Sequence, residues 1–165
     1  MRTIDNINGL KKSEFLSIFG NVFEKTESVA LKVFELKPFK DSDDIVSKML
    51  KIYEEYDRDK ILQILNSHPE LAIEKKLTND SKLEQTSANL NECSEEEFEE
   101  FKKLNLEYKI KFGFPFIIAV KGKNKNEILV NFRERIQNDL NKEFLEAKNQ
   151  VKKIASFRLK DILSF

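Results

Sequence analysis

Apolar residues return every three or four positions along most of the chain, the pattern of helices that each bury one face. Phe15, Leu16, Phe19, Val22 and Phe23 make the first such stripe, with Ser13 as its expected cap. Val29, Leu31, Val33 and Phe34 make a second, which must end before Pro38. Ser42 and Asp43 can cap a third that carries Ile45, Met49, Ile52 and Tyr53. Ile61, Leu62, Ile64 and Leu65 form a fourth, stopped by Pro69. Ser94 followed by Glu97 reads as a capping box. It opens a helix with Phe98, Phe101, Leu104, Leu106 and Tyr108. Another starts near Asn126 and carries Ile128, Leu129, Phe132, Ile136 and Leu140, and a last one runs from about Lys142 to Leu163. No repeat, low-complexity run or linker interrupts the series. The expectation is an all-α fold, a compact helical bundle with residues 1–165 as a single domain.

One stretch breaks the period. Phe112-Gly113-Phe114-Pro115-Phe116-Ile117-Ile118-Ala119-Val120 is continuously apolar but holds a Gly and a Pro. A lone strand would have no partner among helices, so a buried extended segment is expected. Its backbone N–H and C=O groups then need partners, a ligand among them. Lys121-Gly122-Lys123-Asn124-Lys125 reads as the turn that follows.

Composition narrows the function. Lys+Arg and Asp+Glu are 29 each, so the formal net charge is zero. That argues against nucleic-acid binding, which needs a clustered basic surplus. The single cysteine, Cys93, can form neither an internal disulfide nor a cysteine-based zinc site. No Gly-rich phosphate loop occurs, which disfavours ATP or a dinucleotide. One His with scattered carboxylates makes no convincing metal site. No apolar run approaches the roughly 18 residues of a membrane span, and the first residues lack the apolar core of a secretory signal. Cytoplasm is the default compartment. With four Gly, 14 Phe and no Trp, breakers are few and Phe is the main filler of the core.

Three places can carry chemistry. His68, the only histidine, sits in Asn66-Ser67-His68-Pro69-Glu70. Pro69 holds His68 in extended backbone angles and suits the first position of a following helix. His68 would then stand at a helix N-terminus, whose positive end disfavours imidazolium. The plain alternative is a loop or capping residue. Ser81 and Glu84 have capping-box spacing, so Glu84 either bonds the Ser81 backbone or projects with Gln85 into a pocket. Carboxylate and carboxamide side chains together suit a ligand rich in N–H and C=O groups. Arg158 lies within the apolar stripe of the last helix. It either reaches a surface carboxylate or binds a substrate carboxylate through its planar fork.

The order of these motifs resembles a known family. His68-Pro69-Glu70-Leu71-Ala72, then Leu77-Thr78 with Ser81, Glu84 and Gln85, then Leu104-Asn105, Tyr108 and Lys111-Phe112-Gly113-Phe114-Pro115-Phe116-Ile117-Ile118, then Arg158-Leu159, are similar to the 2-oxo-4-hydroxy-4-carboxy-5-ureidoimidazoline (OHCU) decarboxylase family of urate breakdown. Lys37-Pro38-Phe39 looks like its early turn. Departures fall at Glu27-Ser28, Ile73 and Ser87-Ala88-Asn89-Leu90, positions of packing and loop shape.

The resemblance implies an all-α homodimer without a cofactor that decarboxylates the ureidoimidazoline to (S)-allantoin. It implies His68, Glu84 and Arg158 as catalytic residues. The implied substrate contacts are Pro69, the segment Ser81-Lys82-Leu83-Glu84-Gln85, the segment Phe116-Ile117-Ile118-Ala119-Val120, and Arg158 itself. Two alternatives use the same fold without catalysis: a ureide-binding protein, and a protein-interaction module. The first would bind allantoin without accelerating its formation; the second would bind none.

Overall fold

The computed structural model describes residues 3–72 and 78–163; Leu77 of the family motif and the departure at Ile73 lie outside them. Among the described residues there are nine helices and no strand, as an all-α fold requires. The chain divides into two compact units. One runs to Ser67 and takes up the chain again at Lys152; the other runs from His68 to Val151.

The first unit holds α1 (Ile4–Gly9), α2 (Lys12–Phe19), α3 (Ser28–Phe34), α4 (Ser42–Glu54) and α5 (Arg58–Ser67). α3 packs on both α2 and α4. The core is aromatic: Phe15 lies 4.5 Å from Phe19 between ring centroids, and Phe23 stacks on Tyr53 at 4.8 Å. Asp41, not Ser42, caps α4, its carboxylate accepting the Asp44 N–H at 2.8 Å. Likewise α2 begins before Ser13. The Glu14 carboxylate reaches back to the Lys11 N–H at 2.8 Å, and Ser13 sits inside the helix. α2 also ends earlier than its stripe implied. The chain leaves the helix at Gly20, where a Cβ would collide with the Leu16 carbonyl. Val22 and Phe23 are buried from the turns that follow, not from the helix. α1 is too short to show a period; it is announced by Thr3 and Asn6, which bond each other's backbone N–H at 3.2 and 3.1 Å.

The second unit holds α6 (Asn79–Ser87), α7 (Glu95–Phe112), α8 (Lys125–Arg135) and the beginning of α9 (Leu140–Leu163), whose later part belongs to the first unit. The Ser94–Glu97 box forms as expected, with bonds of 2.8 and 3.2 Å. α7 stops at Gly113, whose φ of 78° is the left-handed conformation that a residue without Cβ enters freely. From Phe114 to Val120 the chain is non-helical and buried. Phe114, Phe116, Tyr108, Phe112 and Phe132 interlock around it, Phe116 stacking on Phe132 at 3.9 Å between centroids.

The starts of α7 and α8 are tied by Lys125, whose ammonium lies 2.7 Å from Glu97 and also donates to the Glu92 carbonyl at 2.9 Å. The Lys125 hydrogen bond holds the Glu97 carboxyl below its usual range, and Glu97 in turn raises Lys125. A lowered carboxyl stabilises the fold above its unfolded pKa, and a raised ammonium does so below its own. The pair therefore contributes between about pH 4.5 and 10.5, the ordinary values of the two groups. Thermal melts of Lys125→Met against the parent across pH should differ inside that window and converge as acid protonates Glu97.

Candidate active site

The segment that carries His68 is held by side chains from two helices. It follows α5 directly, and no helix begins between His68 and Ala72. The helix N-terminus expected at Pro69 is thus not found there, and the dipole argument for His68 lapses with it. Something else must fix a loop whose Ala72 takes a φ of 52°, costly for a residue with a Cβ. Gln85 on α6 accepts the Ala72 N–H at 3.1 Å and donates to the Glu70 carbonyl at 3.2 Å. Asn105 on α7 donates to the Leu71 carbonyl at 2.9 Å. Three consecutive residues after His68-Pro69 are therefore pinned by two buried carboxamides. His68 itself is 8% exposed.

Because Asn105 donates to a carbonyl, the atom facing Leu71 must be its nitrogen, which fixes the orientation of the amide. Its Oδ1 is buried and accepts no hydrogen bond among the described residues. Such an acceptor costs about 1–3 kcal/mol unless a further donor reaches it.

α6 presents its residues differently from the expectation. The cap is Thr78, whose hydroxyl accepts the Ser81 N–H at 3.3 Å. Ser81 is therefore inside the first turn and buried, and it does not form a box with Glu84 as the capping residue. The Thr78 hydroxyl stands the same three residues before Ser81 that Ser81 stands before Glu84, so spacing alone could not choose between them. Glu84 is half-buried, Gln85 is buried, and Lys82 and Leu83 are exposed, Leu83 at 70%. Gln85 spends one lone pair and one N–H on the loop, which leaves one of each for a ligand.

The extended segment is fastened by a charged cluster that the pattern along no single helix reveals. Arg135, at the end of α8, donates through Nη1 to the Ile117 carbonyl at 2.7 Å and through Nε to Glu143 at 2.8 Å. Its guanidinium lies 4.3 Å from the centre of the Phe116 ring. Glu143, fully buried, also accepts from the Tyr108 hydroxyl at 2.5 Å and from Asn138 at 2.9 Å. Burial and the bond to Glu143 push the Tyr108 phenol far above its usual range, so it stays a donor. Two residues further along the segment, the Ala119 N–H donates to Gln150 on α9 at 2.9 Å. Ile117 and Ile118 are 3% and 4% exposed, and among the described residues no hydrogen bond is made by the N–H of either. A signal for part of this cluster does exist: Glu143 and Gln150 fall on the stripe of α9 that also carries Ala147 and Ile154, and polar side chains on a buried stripe need partners.

α7 serves both segments. Asn105 and Tyr108 are three residues apart on one helix face, the first bonded to the loop after His68, the second packed against Phe116 at 5.4 Å between centroids.

Arg158 belongs to the first unit. It is 6% exposed, donates to Glu24 at 2.9 Å and to the Asn21 carbonyl at 2.9 Å. The carboxylate it meets is fully buried, not the surface partner that a snorkelling arginine would reach. Cys93 donates to the Leu90 carbonyl, and burial raises its thiol, which suits a passive role. Among the described residues no three His, Cys, Asp or Glu side chains gather as a metal site, and no helix is long and apolar enough to cross a membrane.

A helical protein that buries a histidine on a pinned loop and leaves two buried backbone N–H groups open has polar groups to offer a small polar molecule. The particular family follows from comparison: the chain belongs to the OHCU decarboxylase family, whose model matches residues 8–160. The 2-oxo-4-hydroxy-4-carboxy-5-ureidoimidazoline decarboxylase of Haloferax volcanii is 35% identical over 98% of this chain and 96% of its own length. The uric acid degradation bifunctional protein of Bacillus sp. (strain TB-90) is 38% identical, again over 98% of this chain but only 32% of its own. The chain thus spans about one third of that relative. Among solved structures, an (S)-allantoin synthase superposes with a TM-score of 0.78 at 25% identity, over 98% of this chain and 54% of that one. An OHCU decarboxylase crystallised in the presence of (S)-allantoin gives 0.75 at 24% identity, over 88% and 97%, a likeness that speaks to the fold.

Proposed function

We propose that this chain, acting as one domain, decarboxylates 2-oxo-4-hydroxy-4-carboxy-5-ureidoimidazoline to (S)-allantoin without a cofactor. The observation that carries the reading is the pinning of the His68 segment by Gln85 and Asn105, which keeps the only histidine buried and fixed. The printed name of the Haloferax relative, matched over nearly both full lengths, supports the same substrate.

In this reaction the bond from a ring carbon to the carboxylate breaks and CO2 leaves. The electron pair enters the ring and is shared with the neighbouring C=N. A proton then adds to one face of the carbon that bears the ureido arm. Each demand has a residue type to meet it. His68 hydrogen-bonds the hydroxyl and carboxylate region and manages the proton, a role typically worth about 10²–10⁴-fold. The backbone N–H groups of Ile117 and Ile118 stabilise the charge as it develops. Glu84, with the second lone pair and N–H of Gln85 and the open Oδ1 of Asn105, takes the ureido arm. Pro69, Ser81, Lys82, Leu83, Phe116, Ala119 and Val120 shape the walls, and Arg158 holds the polar groups of the substrate.

The protein is expected to act as a homodimer in the cytoplasm. Support for self-association on the surface is the pair Leu106 and Ile110, one turn apart on α7 and 62% and 76% exposed. Light scattering on a sizing column would read the mass directly.

The experiment is circular dichroism of the product stream. Urate oxidase and hydroxyisourate hydrolase generate the substrate in place, with and without this protein. Spontaneous decay gives racemic allantoin and little signal; the enzyme should give rapid growth of the (S)-allantoin signal. Unchanged racemic decay with a folded protein would overturn the proposal in favour of a ureide-binding role, which titration with allantoin then reads.

A further inference from the structure

We infer that Arg135 is a positioning residue for the decarboxylation: by holding the Ile117 carbonyl it aims the Ile118 N–H as the donor to the developing negative charge. The inference rests on the decarboxylase reading given above.

The geometry follows from the planarity of the peptide bond. The C=O of Ile117 and the N–H of Ile118 belong to one trans peptide unit and point in opposite directions. Arg135 takes the C=O at 2.7 Å, so the Ile118 N–H faces directly away from the guanidinium. The next unit is held from the same principle in reverse. Gln150 takes the Ala119 N–H at 2.9 Å, so the Ile118 C=O faces away from α9's side chain. Two adjacent peptide planes are therefore each fixed by one side-chain bond, and the groups left over are the N–H and the C=O of Ile118. Neither has a hydrogen-bond partner among the described residues, although the residue is 4% exposed. Buried backbone donors almost always have a partner, and one left open in a fixed direction fits a ligand.

The anchor is stiff for reasons of its own. Arg135 is 7% exposed, and its charge is met by Glu143 at 2.5 Å and by the face of Phe116. Glu143 is fixed in turn by Tyr108 and Asn138. No freedom is left for the guanidinium to follow a moving loop. A donor held this way costs no reorganisation when charge appears, which is the source of its effect on rate.

The test separates position from binding. Arg135→Lys keeps a cation opposite Glu143 and gives up the second arm that reaches Ile117. In the coupled assay kcat should fall on the order of 10²-fold while KM stays within about twofold, because the donor matters to charge that exists only after the substrate is bound. The melting curve should remain cooperative. Should this variant fail to fold, R135M/E143M, which removes both buried charges, replaces it with the same expectation. A second measurement strikes the donor itself: an ester in place of the Ile118 amide, introduced by semisynthesis, should lose as much as Arg135→Lys, and the two changes together should lose no more than either. Wild-type kcat in a folded Arg135 variant, or losses that multiply, would overturn the inference while the decarboxylase reading stands. An inactive parent protein would instead sink that reading.

Discussion

His68→Asn should lower decarboxylation by about 10²–10⁴-fold and leave the melting midpoint almost where it was. Asparagine preserves a polar group of moderate size at a site that is 8% exposed, and it needs no change in the backbone before Pro69. The bonds made at Glu70, Leu71 and Ala72 lie downstream of the substitution and so survive it. What asparagine cannot do is exchange a proton near neutral pH. The rate of (S)-allantoin formation by circular dichroism and the midpoint by thermal melting together decide the matter. Full activity in the variant would end the assignment of His68, and loss of the cooperative melt would show that the imidazole is structural.

Glu24→Ala should be the most damaging single change to stability. The carboxylate is fully buried and faces the guanidinium of Arg158, itself 6% exposed, at 2.9 Å. Removing one charge from a buried pair leaves the other in a medium that solvates it poorly, a cost of about 3–5 kcal/mol. For a chain of this length that is a fall of about 6–20 °C in the melting midpoint. Removing both charges is different. E24M/R158M fills the same volume with apolar atoms, and such replacements are often neutral or better. The double variant should therefore regain most of the lost midpoint and yet show no decarboxylation, since Arg158 is proposed to hold the substrate. A double variant that is both stable and active would leave Arg158 a purely structural residue.

Legibility in the sequence varied with the range of the interaction. α4, α5 and α7 were readable because their stripes are long and their stops, Pro69 and Gly113, are chemically unambiguous. The buried extended segment after α7 was readable for the opposite reason, that an apolar run with Gly and Pro fits no helix. Caps were misplaced by one to three residues: at α4 and α6 Ser, Thr and Asp crowd together and several spacings satisfy the same rule, and at α2 the cap is Lys11, a residue type that no capping preference marks. α1 has six residues and no room for a period. Contacts at a distance were the hardest. Glu24 and Arg158 are 134 positions apart, and nothing local in Phe23-Glu24-Lys25 marks the glutamate as buried. Arg135 and Glu143 stand eight apart across the break between α8 and α9, so neither helix alone reveals them. The candidate residues themselves came from motif order, which sees chemistry but not what each side chain is already bonded to. Gln85 shows the difference: motif order pairs it with a ligand, whereas its nearest partners are the backbone of Glu70 and Ala72.

The three-residue interval from Asn105 to Tyr108 has a consequence for how this protein can change. One end of that interval sets the loop behind the histidine, and the other sets the wall at Phe116. A single residue added between them would rotate one end by roughly 100° against the other, a phase error that no side-chain adjustment absorbs. The same addition at the solvent-facing start of α7 would shift both ends together. One helical turn is thus the gauge block of the fold: variation can accumulate on either side of it, but the distance it measures cannot drift.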